Sequence, residues 1–311
     1  MTATLTSPPA ASSRRRGGQR RSITGQNRVA WTFALPFMIV FTIFMLIPLA
    51  ASFAMSFTDL TSADTDNVFG VNFVGLEQYI ALFQNQQFLR SMLNTAYFVV
   101  IGIPLTLVVG LALAVALNSG ITRFRTAFRV GFYIPVVTSI VAVAVVWRFI
   151  LQDDGLINSG LALVGVDGPD WLHDPVWAMP AMILLAVWRN AGTIMIICLA
   201  GLQNISSEVL EAGMMDGASA WTRFTRIVLP LMRPTLLLGA ILLSVGYLQF
   251  FDEPFVMTQG GPLGSTLSVT YFTFNQFGFG KYGYASAASY VLFVAIALLS
   301  LIQFRVLRSK D

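Results

Sequence analysis

Charge is what this chain has least of. Lys, Arg, Asp and Glu make up 11% of its 311 residues, under half of the roughly 25% carried by a water-soluble domain. A surface so poor in charge cannot face water on all sides. Cysteine is limited to Cys198, which excludes an intrachain disulfide and, in an apolar run with no second ligand at metal-site spacing, a zinc or redox centre. Histidine is limited to His173, among Asp170 and Asp174; one imidazole beside acidic side chains reads as solvated surface rather than a metal site. With no Gly-x-Ser-x-Gly elbow either, intramembrane hydrolysis has no nucleophile to use. The two lysines are Lys281 and Lys310. A phosphate-cradling loop requires Gly-x-x-x-x-Gly-Lys-Ser/Thr, but Asn275 precedes Gly280-Lys281 where the first glycine belongs, and Tyr282 follows where the hydroxyl belongs. The chain therefore has no cofactor of its own, and any ATP and Mg must be held by another polypeptide.

Long apolar runs take the place of what is missing. Hydrophobic residues reach 56% and mean hydropathy is +0.71, so the bilayer is the expected solvent. About 20 apolar residues cross a hydrocarbon core of about 30 Å as helix. Six runs qualify, at 31–57, 92–117, 131–151, 176–202, 235–257 and 285–306. The first follows six arginines but is too long for a signal peptide and lacks a small-residue cleavage site, so it reads as a retained anchor. The fold class expected is all-α integral membrane: a six-span domain over 31–306 between a basic tail, 1–30, and a short tail, 307–311.

Fifteen of the 19 Lys and Arg residues fall in the two tails and the loops after spans two and four, which share one side if the span count is even. By the positive-inside rule that side is cytoplasmic. Acids mark the other side: Asp59, Asp64, Asp66 and Glu77 in one loop, and Asp153, Asp154, Asp167, Asp170 and Asp174 in the next. A multi-pass cell-membrane protein with both termini cytoplasmic is the expectation. A nucleic-acid partner is not expected, because the arginine-rich tail is short, Ser/Gly-rich and adjacent to a span.

The loop after span four carries the most local information. Residues 206–217 read as a short helix with Ser at the N-cap, Glu208 in the first turn and Gly217 at the stop, where a left-handed turn suits glycine. A second short helix, 218–229, repeats Trp221, Phe224, Val228 and Leu231 at helical spacing until Pro230 and Pro234 interrupt it. The hairpin 206–229 thus projects on the cytoplasmic side. Val209, Leu210, Met214 and Met215 give its first helix an apolar stripe with acids around it, suited to a groove on a soluble partner. A helix lying on headgroups would be rich in Lys and Arg instead.

Glu211-Ala212-Gly213, Asp216-Gly217-Ala218 and Ile227-Val228-Leu229-Pro230 resemble the EAA loop of ABC importer permeases, with Gly213 departing from the usual Ala. Phe73-Val74-Gly75-Leu76, Asn94-Thr95, Trp147-Arg148, Ala200-Gly201-Leu202-Gln203 and Thr258-Gln259-Gly260-Gly261-Pro262 are similar to the carbohydrate-uptake branch, in particular the first permease of the maltose and glycerol-phosphate type. The resemblance implies a type I importer fold whose cytoplasmic EAA helix couples to the ATPase. Glu208, Glu211, Asp216 and Gly217 are its interface set, with Leu210, Ala212, Met214 and Met215 on the same helix. It also implies a second permease subunit forming a heterodimer, two ATPase subunits, an extracytoplasmic sugar-binding protein, and no catalysis in the chain itself.

Polar groups inside spans are unfavourable against lipid and should face a cavity or each other. Spans four and five supply Arg189, Asn190, Thr193, Tyr247, Gln249, Asp252 and Glu253. Neutral amides beside Tyr247 and Phe250 suit a sugar, whose hydroxyls need hydrogen-bond partners and whose C–H faces lie against rings. Asn190, Thr193 and Gln249 fall on or near the sugar-contact positions that the resemblance implies. Helix-to-helix hydrogen bonding is an equally open role for each. Arg148 and Arg189 are expected to pair with Asp252 or Glu253 as structural charges. An ion-coupled secondary transporter using Asp252 or Glu253 is the alternative function. Adjacent in sequence, those two carboxylates point about 100° apart on a helix and cannot act as a facing acid pair.

Overall fold

The computed structural model describes residues 23–64, 70–119 and 124–307. Arg14, Arg15, Arg16, Arg20, Arg21, Asp66, Arg123, Arg308 and Lys310, used above to read the orientation, lie outside them. The chain divides into two compact units, residues 1–51 and 52–311. In the first, α1 (Ile23–Phe41) leads through a π turn (Thr42–Leu46) into α2 (Ile47–Met55), which runs on past the boundary. The widened turn has a cause in the sequence. Ile47 N–H donates to Thr42 O, five residues back, and the next residue, Pro48, has no N–H with which to restore the ordinary ladder.

The second unit's regular structure is helical in its described residues, with turns and loops between the helices and an isolated bridge between Thr58 and Phe73. After α3 (Glu77–Gln84) come α4 (Gln86–Ser119), α5 (Arg125–Val137), α6 (Ile140–Ile150), α7 (Leu156–Leu163) and α8 (Ala178–Gln203). Then follow α9 (Ser207–Met215), α10 (Ala220–Arg223), a π turn (Phe224–Val228), α11 (Leu229–Leu231), α12 (Arg233–Leu248), α13 (Asp252–Met257), α14 (Val269–Gly278) and α15 (Tyr282–Leu307). Five described segments are long and apolar enough to cross a membrane: Trp31–Met55, Gln86–Asn118, Ala178–Gln203, Arg233–Met257 and Tyr282–Arg305. A sixth is reached if α5 and α6, bent by 98° at their junction, count as one.

That bend corrects the reading of 131–151 as one straight rod. Pro135 lies inside α5 and withholds an N–H. Three residues on, Thr138 is extended and turns its Oγ1 back to Ile134 O at 2.8 Å, satisfying a carbonyl that a continuing helix would have used. Span five is interrupted as well: α12 stops at Leu248, residues 249–251 are non-helical, and α13 restarts at Asp252. The prolines before span five break less than expected. Pro230 sits within α11 and Pro234 in the first turn of α12, with Met232 alone between the two helices.

The main core is built on α8, whose Met182, Leu185, Ile194 and Met195 are buried against α4 and α12. Gly110 permits this contact: a Cβ there would stand 2.5 Å from Ile194 Cγ2. A second apolar cluster joins Leu82, Phe88, Phe272, Ala287 and Ala288. The Asn94-Thr95 pair ties the loop after α13 to α4: Asn94 Nδ2 donates to Gly264 O (2.8 Å) and Leu267 O (3.0 Å), and Thr95 Oγ1 accepts from Val269 N–H (3.1 Å). On the other side of α12, Gln303 Nε2 donates to Ser244 Oγ at 2.5 Å and so fixes α15.

Candidate functional site: a cavity at the break in span five and an exposed helix after span four

The break at 249–251 opens on a cavity of about 180 Å³ lined by Arg189 and Asn190 of α8, Tyr247, Gln249 and Phe250 at the end of α12, and Glu253 of α13. Asp252 and Ile140, the first residue of α6, are also on its wall. Both interrupted spans therefore meet here. Non-helical backbone at membrane depth is tolerated where it lines a cavity or is buried in protein, and this arrangement meets that condition.

The residues singled out in the sequence divide by what they already do. Tyr247 is 4% exposed; its hydroxyl shares a 2.8 Å hydrogen bond with Thr106 Oγ1, which itself donates to Gly102 O at 2.7 Å. Its ring lies 5.0 Å from that of Phe98, and Phe98 stacks on Phe250 at 4.0 Å with the planes 5° apart. The aromatic wall is thus a packed stack that shapes the cavity, and the Tyr247 hydroxyl has a structural partner. Phe98 and Thr106, which complete the stack, were missed by the sequence reading; a hydroxyl in the middle of span two was the available signal. Asn190 Nδ2 donates to Ala186 O at 2.9 Å, and its side chain also interacts with the Tyr247 hydroxyl. Gln249 is exposed at the C-cap of α12, its backbone N–H bonded to Gly246 O and its side chain without a hydrogen bond. Arg189 Nε is buried with no hydrogen-bond partner. Thr193 is one turn below Arg189 on α8 and is absent from the cavity wall.

The expected ion pairs are corrected. Among the described residues, the basic and acidic side chains found within 4.0 Å of one another are His173 and Asp170, Nδ1 to Oδ1 at 3.0 Å, an ion pair only with the imidazole protonated. Neither Arg148 nor Arg189 makes a contact ion pair with Asp252 or Glu253. Arg148 is carried away by the bend before α6 and lines a different pocket, with His173, Met257, Gln259 and Pro262. Arg189 shares the cavity with Glu253 without touching it. In the loop between α7 and α8 burial pushes the Asp170 carboxyl up, but the N–H groups of His173 and Leu172 and the His173 ring together outweigh it and hold the group below its usual range.

At the other end of α8, α9 stands on its own. Ser206 occupies the N-cap position but makes no side-chain capping bond, whereas Ser219 caps α10 through its Oγ and Thr222 N–H at 3.2 Å. Glu208, Glu211, Ala212 and Asp216 are exposed, Leu210 is half-buried, and Met214 and Met215 are 51% and 88% exposed. The single buried residue is Gly213, against Ile227 Cδ1 and the Arg223 side chain. Gly217 has φ of +77°, and Ala218 N–H closes back on Gly213 O at 3.1 Å, the left-handed stop expected of a glycine there. Acids and two bare methionines thus lie on a helix whose single buried residue is Gly213, leaving most of its surface uncovered by the chain.

Comparison with known proteins agrees with this anatomy. The family model of the binding-protein-dependent transport system inner membrane component matches residues 79–309. The chain is 33% identical over 286 residues to the lactose transport system permease protein of Rhizobium radiobacter, covering 90% of this chain and 94% of that protein. It is 31% identical to the trehalose/maltose transport system permease protein of Thermococcus litoralis, covering 91% and 95%. Among solved structures, a chain of a bacterial ABC transporter that imports the acidic polysaccharide alginate superposes with a TM-score of 0.75 at 24% identity, covering 91% of this chain and 96% of that one.

Proposed function

The chain belongs to the family of binding-protein-dependent transport system inner membrane components, and from that premise we propose that it is one half of the translocation path of an ATP-driven sugar importer. As a permease of this family it is a multi-pass, non-catalytic component, and ATP is hydrolysed by separate subunits; that membership sets aside the ion-coupled alternative. The finer assembly is our reading: a second permease pairs with it, two ATPase subunits dock inside, and a binding protein delivers sugar from outside. Both termini lie in the cytoplasm, as the distribution of basic residues favours.

The observation that carries the reading is the break in span five. It presents an uncommitted Gln249 amide beside the Asn190 side chain and the unpartnered Arg189 Nε, over a stack of aromatic rings. Donors and acceptors above an apolar floor match the two faces of a sugar ring. Curated relatives named for lactose and for trehalose/maltose transport support the same ligand class.

Coupling runs through α9. Glu211 and Asp216 offer charge to basic groups of the ATPase, Met214 and Met215 fill its groove, and the Gly217 stop fixes the angle at which the helix meets α10. ATP-driven closure of the ATPases pulls on this helix, and the pull alternates the cavity between the two sides. Glu211→Lys reverses the charge at an exposed position, so the protein should insert normally yet lose sugar-stimulated ATP hydrolysis and co-purification of the ATPase. Undiminished uptake with the ATPase still attached would sink the coupling role.

A further inference from the structure

A larger cavity, about 710 Å³, lies apart from the one at the span break and shares no lining residue with it. Its wall is formed by residues 59–61, α3, the start of α4, the end of α14 and the first turn of α15. Because α4 and α15 begin here, this is the end of the helices opposite to α9 under the proposed topology, hence the extracytoplasmic mouth.

The polar groups on the wall can be sorted by what already occupies them. Asp59 accepts from Asn72 N–H at 2.9 Å with one oxygen and from Asn72 Nδ2 at 3.0 Å with the other. Gln78 Nε2 donates to Thr58 O at 3.1 Å. Asn85 Oδ1 accepts from Gln87 and Phe88 N–H, and its Nδ2 donates to Tyr284 Oη at 3.2 Å. Gln276 stands outside this network: it is 8% exposed, it lines the cavity, and its side-chain amide has no hydrogen-bond partner in the chain. Neither of its amide atoms is among the buried atoms left without a partner, so the amide is open to whatever fills the cavity. The Gln87 amide and the Tyr284 O–H are also open to the cavity. Phe279 stands beside them, 72% exposed. The lining carries one carboxylate, whose oxygens are engaged, and one ammonium, on Lys281, so the cavity has no strong preference for a charged ligand.

We propose that this cavity is a second carbohydrate site, at the outer mouth and off the span-five cavity, in which the Gln87 and Gln276 amides bond the hydroxyls of a neutral sugar whose C–H face lies on Phe279. The choice of a sugar rests on the import reading above; the pairing of neutral amides with an exposed ring is the geometry's own contribution. The volume lies within the range of small-molecule sites and accommodates more than one sugar unit.

The test uses the complete transporter in nanodiscs without its binding protein, with maltotriose as the probe and saturation-transfer NMR of its C–H protons as the readout. Saturation is expected with the wild-type chain. It should fall about tenfold, the effect of losing one well-made hydrogen bond or the ring contact, in Gln87→Ala and in Phe279→Ala, both at exposed positions that folding tolerates. Ala81→Trp, which fills the cavity from the exposed face of α3, should abolish it. No saturation in the wild type, meaning that water alone completes Gln276, overturns the proposal, as does saturation that Ala81→Trp leaves intact. Uptake of labelled sugar, with binding protein and ATP supplied, is scored separately. Uptake without this binding removes the second site and leaves the importer; binding without uptake of any sugar removes the importer and leaves the site.

Discussion

Tyr247 and Gln249 stand two residues apart on the same cavity and do different work. The Tyr247 hydroxyl belongs to a bond with Thr106, so Tyr247→Phe should lower stability by about 1 kcal/mol, the usual net value of one hydrogen bond, seen as earlier thermal unfolding in detergent. Sugar affinity should stay the same, because Thr106 remains bonded to Gly102 O. Gln249→Ala reverses that pattern. Its side chain holds nothing in the chain, so unfolding should be unaltered while the half-saturating sugar concentration for uptake rises about tenfold. Unaltered transport kinetics would move the contact to Asn190 or Arg189. That Gln249 was legible from the sequence and the role of Tyr247 was not has a simple reason. A polar side chain beside a helix end signals itself, whereas the partner of a hydroxyl more than a hundred residues away is fixed only by packing.

At the scale of elements, two glycines four residues apart, one inside α9 and one just past its end, make opposite demands. Gly213 has ordinary helical geometry, and a methyl group there comes too close only to Ile227 Cδ1, the far end of a flexible side chain, at 2.7 Å, with Arg223 Cγ and Cδ at ordinary contact distance. Gly213→Ala, which restores the letter usual in the EAA string, should therefore gain up to about 1 kcal/mol of helix preference and keep coupling. Gly217→Ala faces open space but a φ of +77°, which costs an L residue roughly 1–2 kcal/mol and should reduce sugar-stimulated ATPase activity by changing the exit angle of α9. Equal coupling in the two variants would show that the left-handed stop is dispensable. The spans themselves were legible, since hydropathy is a property of side chains and the six apolar runs coincide with helices. The two interruptions were hidden within those runs because they are backbone events: Pro135 with Thr138 in one, the stop after Leu248, closed by the Gln249 N–H, in the other. Missing the first also misplaced Arg148, which follows α6 away from the acids it was expected to meet.

For the whole molecule, the sole native thiol is an asset. Cys198 is 1% exposed in the main core, so the chain should react negligibly with maleimides, and a cysteine placed at Met215, 88% exposed, can report sidedness without background. Met215→Cys should label with a membrane-permeant maleimide in intact cells and resist an impermeant one until the membrane is opened. Labelling from outside would place α9 on the wrong side for an ATPase. Another consequence follows from the right-angled junction after Val137. At 1.5 Å per residue, the eleven residues of α6 reach only about 16 Å, roughly half the depth of the oily layer. If α6 stands upright, α5 must lie nearly flat, and along that flank one leaflet has no protein rod to line its acyl chains. Either the neighbouring permease fills the notch or the membrane thins beside it, so lipid chain length should tune this transporter's turnover more strongly than it tunes one built from six unbroken rods.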